Sequence, residues 1–370
     1  MPDFETLEPA IDPSNKVSFL LDWEVTMKCN LDCSYCGTGL NGGHDNTTRH
    51  PPVDQCLASI DFMFEYVDQY MQQRPRGLRY VFLNVYGGES LHHPDIVQIL
   101  SQVRQRYEPY QSHWHLTVTT TTNAIVSDAK LKKIIPYIDE FTVSYHPEAT
   151  PKQKQQFKNN LLAIRDSGKR QKCVVLMHQD PELFNDAELM MSWLTENNIK
   201  ILPKQLDSNQ GQIYSSQQVQ WFDSMYQSKS YNASTNLLNN SKELSLTDTG
   251  RSCCGGRQLC QDKNYKQRHA YVENKFPNWY CSVNHFFLYV RQVTNEVFVN
   301  KDCKMTFDQQ VGPIGSLERS DEILAQLKTQ LTTGTMPVIQ CKKDRCWCGL
   351  CAPKAADLDT YYSIMKKYSL

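Results

Sequence analysis

The 370-residue chain contains no run of about 18 apolar residues, which excludes a conventional membrane-spanning helix. It has almost no charge imbalance. The 39 Lys and Arg against 40 Asp and Glu leave a formal charge of −1, so there is no basic surplus for a chain-wide grip on nucleic acid. The opening MPDFETLEPAIDPSNK is acidic and has no apolar h-region, so it does not read as a secretory signal, and a cytoplasmic protein is expected. Internal repeats, low-complexity tracts and the G-x4-G-K-S/T phosphate loop are missing. What remains is a globular composition, 40% hydrophobic and 21% charged, with one excess: fourteen cysteines.

In a reducing compartment clustered thiols hold metal more often than they form disulfides. The clusters lie toward the two ends of the chain, with Cys56 and Cys173 between them. Cys56 falls on an apolar stripe with Ile60, Met63, Phe64 and Val67, and Cys173 opens the run CVVLM, so both read as packing thiols.

From residue 18 to 206, strand-like runs alternate with helix-like ones. The strands are expected at Phe19–Thr26, Tyr80–Tyr86, His115–Thr121, Phe141–Tyr145, Cys173–His178 and Lys200–Leu206. Residues 53–71 carry helical period, and a second helix is expected to open at Asn185 with Glu188 three residues on. Strand–helix alternation implies a parallel sheet with crossover helices. Six units of roughly 31 residues fit this span. A full eight-fold barrel needs about 250 residues, so the fold class is α/β, a partial (β/α)6 barrel resembling a TIM barrel. Residues 207–250 turn rich in Ser, Asn and Gln and read as a connecting region, with a short packed helix at Trp221–Tyr226. A hairpin is expected over Phe286–Arg291 and Glu296–Lys301 around Thr294-Asn295. The organisation expected is an extension over 1–17, the barrel over 18–206, the connection over 207–250, a Cys-rich α+β domain over 251–355 and a tail over 356–370. The stretch 152–172 holds seven Lys/Arg against one Asp and reads as a solvated helix face rather than an RNA-binding surface.

Cys29, Cys33 and Cys36 form C-x3-C-x2-C directly after the first strand, in MKCNLDCSYCG. Three thiolates on a short loop can take three corners of one iron–sulfur cubane and leave the fourth iron open. Such an open position is what a metal needs to bind a small molecule. The rival reading is a zinc site with His44 or His50. A second feature joins the first: the next strand ends in VYGGES. Gly87 and Gly88 allow close approach to the backbone, and the Glu89 carboxylate can meet a cationic amine.

With these two motifs at the ends of successive strands, the sequence resembles the radical S-adenosylmethionine (radical SAM) enzymes over residues 18–206. The resemblance implies that Cys29, Cys33 and Cys36 ligate a 4Fe-4S cluster whose open iron takes the amino and carboxylate groups of S-adenosylmethionine. Reductive cleavage then yields a 5′-deoxyadenosyl radical that abstracts a substrate hydrogen. It also implies that Tyr35 sits near the adenine, that Gly87, Gly88 and Glu89 bind the methionine amine, and that Asn123 and Ser144 contact the ribose or carboxylate.

Nine cysteines lie in 253–351, in CCGGRQLC, WYCSVNHFF, NKDCKM and CKKDRCWCGLC. That layout resembles the SPASM and twitch extensions of the same enzymes, which carry auxiliary 4Fe-4S clusters. The resemblance implies one auxiliary cluster on Cys281, Cys303, Cys348 and Cys351, and leaves Cys253, Cys254, Cys260, Cys341 and Cys346 for a second. CKKDRCWCGLC departs from the usual C-x2-C-x5-C-x3-C spacing, so one or two auxiliary clusters remain open, as does zinc. Partners implied are an electron donor such as flavodoxin or ferredoxin, and a peptide, protein side chain or small molecule as substrate. The short stretch before the first strand favours no leader-peptide-binding domain there. Two other readings stand beside this one: a non-catalytic zinc-binding interaction module, and an RNA-modifying radical SAM enzyme.

By position, Asp22 and Glu24 on the first strand share one face. His146, His178, Lys204 and Gln205 are placed to line a pocket or make structural hydrogen bonds, and His92 and His93 read as surface or capping residues.

Overall fold

Alternating burial organises the first long strand: Phe19, Leu21, Trp23 and Val25 enter the main apolar core, and Asp22 and Glu24 point to the opposite face. A computed structural model describes residues 6–7, 18–36, 47–73, 79–206, 213–227, 278–300, 312–342, 354–355 and 357–367. Through the barrel region the elements run β1 (Thr6–Leu7), β2 (Ser18–Thr26), α1 (Val53–Gln72), β3 (Tyr80–Gly87), α2 (Ile96–Tyr107), β4 (His115–Thr122), α3 (Asp128–Ile134), β5 (Glu140–Tyr145), α4 (Pro151–Asp166), β6 (Arg170–Met177), α5 (Pro181–Glu196), β7 (Ile201–Gln205) and α6 (Ser216–Gln227). They continue with β8 (Tyr280–Cys281), β9 (Phe287–Arg291), β10 (Glu296–Phe298), β11 (Gly315–Ser316), α7 (Ser320–Thr333), β12 (Ile339–Gln340), β13 (Lys354–Ala355) and α8 (Leu358–Lys367).

Strands β2 to β7 lie side by side in sequence order, every neighbouring pair parallel. Helices fill each connection, as a parallel sheet requires. This is the (β/α)6 partial barrel expected from the alternation. Each strand sends one face outward to the helices: Val81, Leu83 and Val85 from β3, Phe141, Val143 and Tyr145 from β5, Cys173, Val175 and Met177 from β6. The other face is polar near the middle of the sheet. There Asn84 Nδ2 donates to Asp22 Oδ1 at 3.1 Å, and the Thr119 hydroxyl donates to Asn84 Oδ1 at 3.3 Å. Cys56 and Cys173 are fully buried in the core as packing thiols.

Helix starts follow capping chemistry. α4 opens on a capping box between Thr150 and Gln153 with Pro151 in its first turn. The start expected at Asn185 is corrected: α5 begins at Pro181, because the Asp180 carboxylate accepts the N–H groups of Glu182 and Leu183. The basic stretch 152–172 is largely engaged within the fold. Lys154 pairs with Asp186 at 2.9 Å, Lys158 sits 5.1 Å over the Trp193 ring, and Lys172 faces Glu140.

The C-terminal hairpin forms as β9 and β10, with Asn295 in the left-handed region at φ 55°. It is part of the main sheet, because β9 runs parallel to β2 on the edge opposite β3. Arg291 on β9 thereby meets Glu24, a carboxylate with 0% exposure, at 3.2 Å, and Tyr289 donates its hydroxyl hydrogen to the same carboxylate at 3.0 Å. A second sheet, ordered β1-β13-β8-β12, is antiparallel throughout. Among the described residues no helix is long and apolar enough to cross a membrane.

Candidate metal centre

Two backbones meet at the C-terminal end of the barrel. Gly88 N–H donates to Thr26 O at 2.8 Å, and Glu89 N–H donates to Lys28 O at 2.7 Å. These bonds stitch the end of β3 to the chain just before Cys29. The glycines are required by this approach: a Cβ on Gly87 would lie 2.0 Å from Thr26 O, and one on Gly88 would lie 2.4 Å from Met27 O. The close approach that the sequence reserves for a ligand is therefore used, in the first place, by the protein's own chain.

Glu89 is 1% exposed and joins β3 to β4. Thr122 Oγ1 and the Leu91 N–H donate to its Oε1, and the Asn123 N–H donates to its Oε2. Burial pushes the Glu89 carboxyl up, against the pull of these three donors. Asn123 continues the chain. Its Nδ2 donates to Asn30 Oδ1 at 2.7 Å and lies 3.9 Å from Cys29 Sγ, and its Oδ1 accepts the Ile125 N–H. Asn30 in turn donates to Ile125 O at 2.7 Å. Gly87, Gly88, Glu89, Asn123 and Cys29 thus form one connected unit.

The far side of the cysteine loop is held from the β5–α4 connection. Ser34 donates both its backbone N–H and its hydroxyl to Glu148. His146 Nδ1 lies 3.3 Å from Cys33 Sγ and 2.9 Å from Tyr35 Oη. Tyr35 is 4% exposed, with its ring centroid 6.1 Å from that of His146 and 5.8 Å from that of His178. Burial pushes the Tyr35 pKa well above the ordinary tyrosine value, and the neighbouring Cys33 sulfur pushes it the same way.

Burial pushes the Cys29 thiol up to about 12, opposed by the Leu31 N–H, and the Cys33 thiol up to about 11, opposed by the Tyr35 hydroxyl. Burial lowers His146 to about 4. Thiols of this kind need a metal to become thiolates near neutral pH. The three cysteines pack in one apolar shell with Leu31, Ala149, Val174, Leu176 and Leu206. Among the described residues no three His, Cys, Asp or Glu side chains converge closely enough for one metal ion. A cubane places each thiolate on a separate iron and so accepts a wider arrangement. The donor set, three thiols in an apolar shell, fits such a cluster better than a tetrahedral zinc. His50 does not join the cysteines in such a site: its Nδ1 is 3.0 Å from Thr26 Oγ1.

Other positions singled out in the sequence are spread around the same end. Ser144 is half-buried on β5, opposite Val174. Lys204 and Gln205 are exposed, while His178 is buried, with Nε2 3.6 Å from Glu148 and Nδ1 accepting the Asp180 N–H. His92 is exposed, but the surface reading of His93 is corrected. It is fully buried, because Nε2–H donates to Pro51 O while Nδ1 accepts the Asp95 N–H. Cys281 and Cys341 are both buried at the second sheet. Cys281 pairs with Ile339, and Cys341 follows two residues later, bonded through its backbone to Trp279 and Asn278. Cys253, Cys254, Cys260, Cys303, Cys346, Cys348, Cys351 and His44 lie outside the described residues. Asn30, Thr122 and Glu148 hold the loop, yet no motif marks them.

Fold and site define an α/β protein with a partial (β/α)6 barrel and a three-cysteine loop at the C-terminal ends of its strands. No protein-family model matches the chain, and no curated protein does. Among solved structures, native anSMEcpe with bound AdoMet and Cp18Cys peptide is similar over 95% of this chain and 96% of that one, at 10% identity and a TM-score of 0.45. The Kp18Cys-peptide complex is similar over 95% of each, at 9% identity and a TM-score of 0.46. The polyhistidine-tagged form with bound AdoMet is matched over 51% of this chain and 52% of that one, about half its length, at 10% identity and a TM-score of 0.37.

Proposed function

We propose that this chain is a radical SAM enzyme in which Cys29, Cys33 and Cys36 hold a 4Fe-4S cluster and leave one iron for S-adenosylmethionine. When bound, that cluster supplies the electron that cleaves the sulfonium, so that a 5′-deoxyadenosyl radical can take hydrogen from an unactivated carbon of a peptide, protein side chain or small molecule. The observation that carries the reading is the seam between the two motifs, Gly88 N–H to Thr26 O and Glu89 N–H to Lys28 O. It brings the cysteine loop and the glycine–glycine–acid turn into one rigid unit.

The residues divide the work. Gly87, Gly88 and Glu89 would receive the methionine amine. The buried Glu89 carboxylate holds the ends of β3 and β4 at a fixed separation. Asn123 and Ser144, on neighbouring strand ends, would face the ribose or carboxylate. The apolar shell of Leu31, Val174, Leu176 and Leu206 packs against the three cysteines and buries Cys33, with Cys29 and Cys36 half-buried. The polar inner face of β2 to β4, with Asp22 and Asn84, would face a substrate in the barrel. Cys281, Cys303, Cys348 and Cys351 would hold an auxiliary cluster that binds substrate or accepts an electron from it, and Cys253, Cys254, Cys260, Cys341 and Cys346 would serve a second.

Anaerobic reconstitution with iron and sulfide tests the proposal. The expected outcome is a brown protein that forms 5′-deoxyadenosine from S-adenosylmethionine under a strong reductant. Alanine at Cys29, Cys33 or Cys36 should abolish this, and alanine at Cys56 or Cys173 should not. A colourless zinc protein that leaves S-adenosylmethionine intact overturns it.

A further inference from the structure

The three cysteines do not have equivalent surroundings. The Cys29 sulfur is approached by a backbone donor, Leu31 N–H at 3.4 Å, and by the Asn123 amide at 3.9 Å. Two ring side chains lie at the Cys33 sulfur: His146, whose Nδ1 is 3.3 Å from it, and Tyr35, two residues along the same loop. The two are also within 2.9 Å of each other.

We infer that His146 and Tyr35 form a donor pair directed at the Cys33 sulfur, and that as positioning residues they raise the reduction potential of a cluster held there. This deepens the proposed function and rests on Cys33 being an iron ligand. A thiolate has no hydrogen of its own, so it ends any hydrogen-bond chain as the acceptor. A phenol O–H donating to an unprotonated Nδ1 would leave the thiolate without a donor from the pair, so the proton belongs on Nδ1, and two arrangements then satisfy the three atoms. The imidazole N–H and the phenol O–H can each reach the sulfur, or the imidazole N–H can donate to the phenol oxygen while the phenol O–H donates to the sulfur. In both, Cys33 is the terminal acceptor. Hydrogen bonds to ligand sulfur withdraw electron density and favour the reduced cluster.

The pair is rigidly mounted. The ring planes of Tyr35 and His146 are 11° apart, and the His178 ring lies 5.8 Å from that of Tyr35. His146 directly follows β5, where the Tyr145 hydroxyl donates to Asp186 at 2.5 Å, and Asp186 also pairs with Lys154 of α4. Its carbonyl accepts the Ala149 N–H in the turn that leads into the capped start of α4. The position of His146 is therefore set from β5 and α4, outside the cysteine loop that carries Tyr35.

The test is a redox titration of the reconstituted protein, followed by the paramagnetic signal of the reduced cluster, together with iron and sulfide content. In His146→Phe and in Tyr35→Phe the potential should shift to more negative values at full iron content. His146→Asn retains a side-chain N–H and should restore much of the shift. Tyr35→Phe preserves the ring stack and carries the test should His146→Phe not load iron. An unchanged potential in iron-replete Tyr35→Phe and His146→Phe overturns the inference while leaving the proposed function intact. Wild-type protein that binds no cluster overturns the proposed function itself.

Discussion

Glu89 Oε2 accepts the backbone N–H of Asn123 at 2.6 Å, which ties the end of β3 to the end of β4 directly behind the cysteine loop. From that bond a line of contacts runs through the Asn123 amide to Asn30 and Cys29. The acid that the sequence offers to a ligand is thus also a structural brace.

Asn123→Ala removes the donor to Asn30 and the acceptor for Ile125 N–H. Two hydrogen bonds at about 0.5–1.5 kcal/mol each give an expected stability loss of about 1–3 kcal/mol. S-adenosylmethionine affinity of the reconstituted protein should fall roughly tenfold, equivalent to about 1.4 kcal/mol. Urea unfolding and a binding titration check the two effects, and wild-type affinity in the variant contradicts the placement of Asn123 at the cofactor.

Gly88→Ala forces a methyl group against Met27 O and Lys28 O, at 2.4 and 2.5 Å before relaxation. Backbone atoms cannot swing aside like a flexible side chain, so overpacking of about 1–3 kcal/mol is expected. The displaced segment leads straight into Cys29, so iron content after reconstitution should drop as well. Gly168→Ala meets open space but sits in the left-handed region at φ 73°, so it should cost about 1–2 kcal/mol in backbone strain and leave iron content unchanged.

Arg291→Met removes the cation that lies 3.2 Å from the buried Glu24 carboxylate. Breaking such a pair costs about 3–5 kcal/mol. The double variant Glu24→Gln with Arg291→Met should recover a large part of that loss, because the buried charge is removed with its partner. Equilibrium unfolding of both single variants and the double variant measures the coupling. Simple additivity would contradict the pairing of β2 with the C-terminal hairpin.

Acidification should destabilise the fold below about pH 6.5, the ordinary histidine value. Burial lowers His50 to about 4 and also lowers His93. A histidine whose folded value is depressed binds its proton first in the unfolded chain. Its contribution is therefore present above about pH 6.5 and is lost as pH falls toward about 4. The urea midpoint should decline across this window, and more gently in His50→Gln. Parallel declines in the two proteins would remove His50 from the account.

Much of the barrel is legible in the amino-acid order. The six strands fall within a few residues of their expected places, because a strand buried against helices on one face puts apolar residues at alternate positions between turn signals. The hairpin around Asn295 is legible too. Its partner is not: the pairing of β9 with β2 joins residues more than 260 positions apart, and no local pattern encodes it. The start of α5 is not legible either, because Asn185–Glu188 imitates a cap that Asp180–Pro181 supplies one turn earlier. His93 reads as a surface or capping residue in the sequence, and its full burial is not legible because its two backbone partners, Pro51 and Asp95, satisfy both ring nitrogens only inside the fold.

Residue order by itself determined the chemistry on offer: three thiols on one short loop, two small residues and an acid at the next strand end, and strands spaced for crossover helices. Tertiary structure alone decided how those groups are deployed. It set Gly88 against the chain before Cys29, joined both oxygens of Glu89 to donors at the end of β4, and brought His146 to the sulfur of Cys33. The reason is range. Periodicity and motif spacing record forces between near neighbours, whereas these contacts arise when strand ends far apart in the chain are packed side by side and buried polar atoms must find partners there.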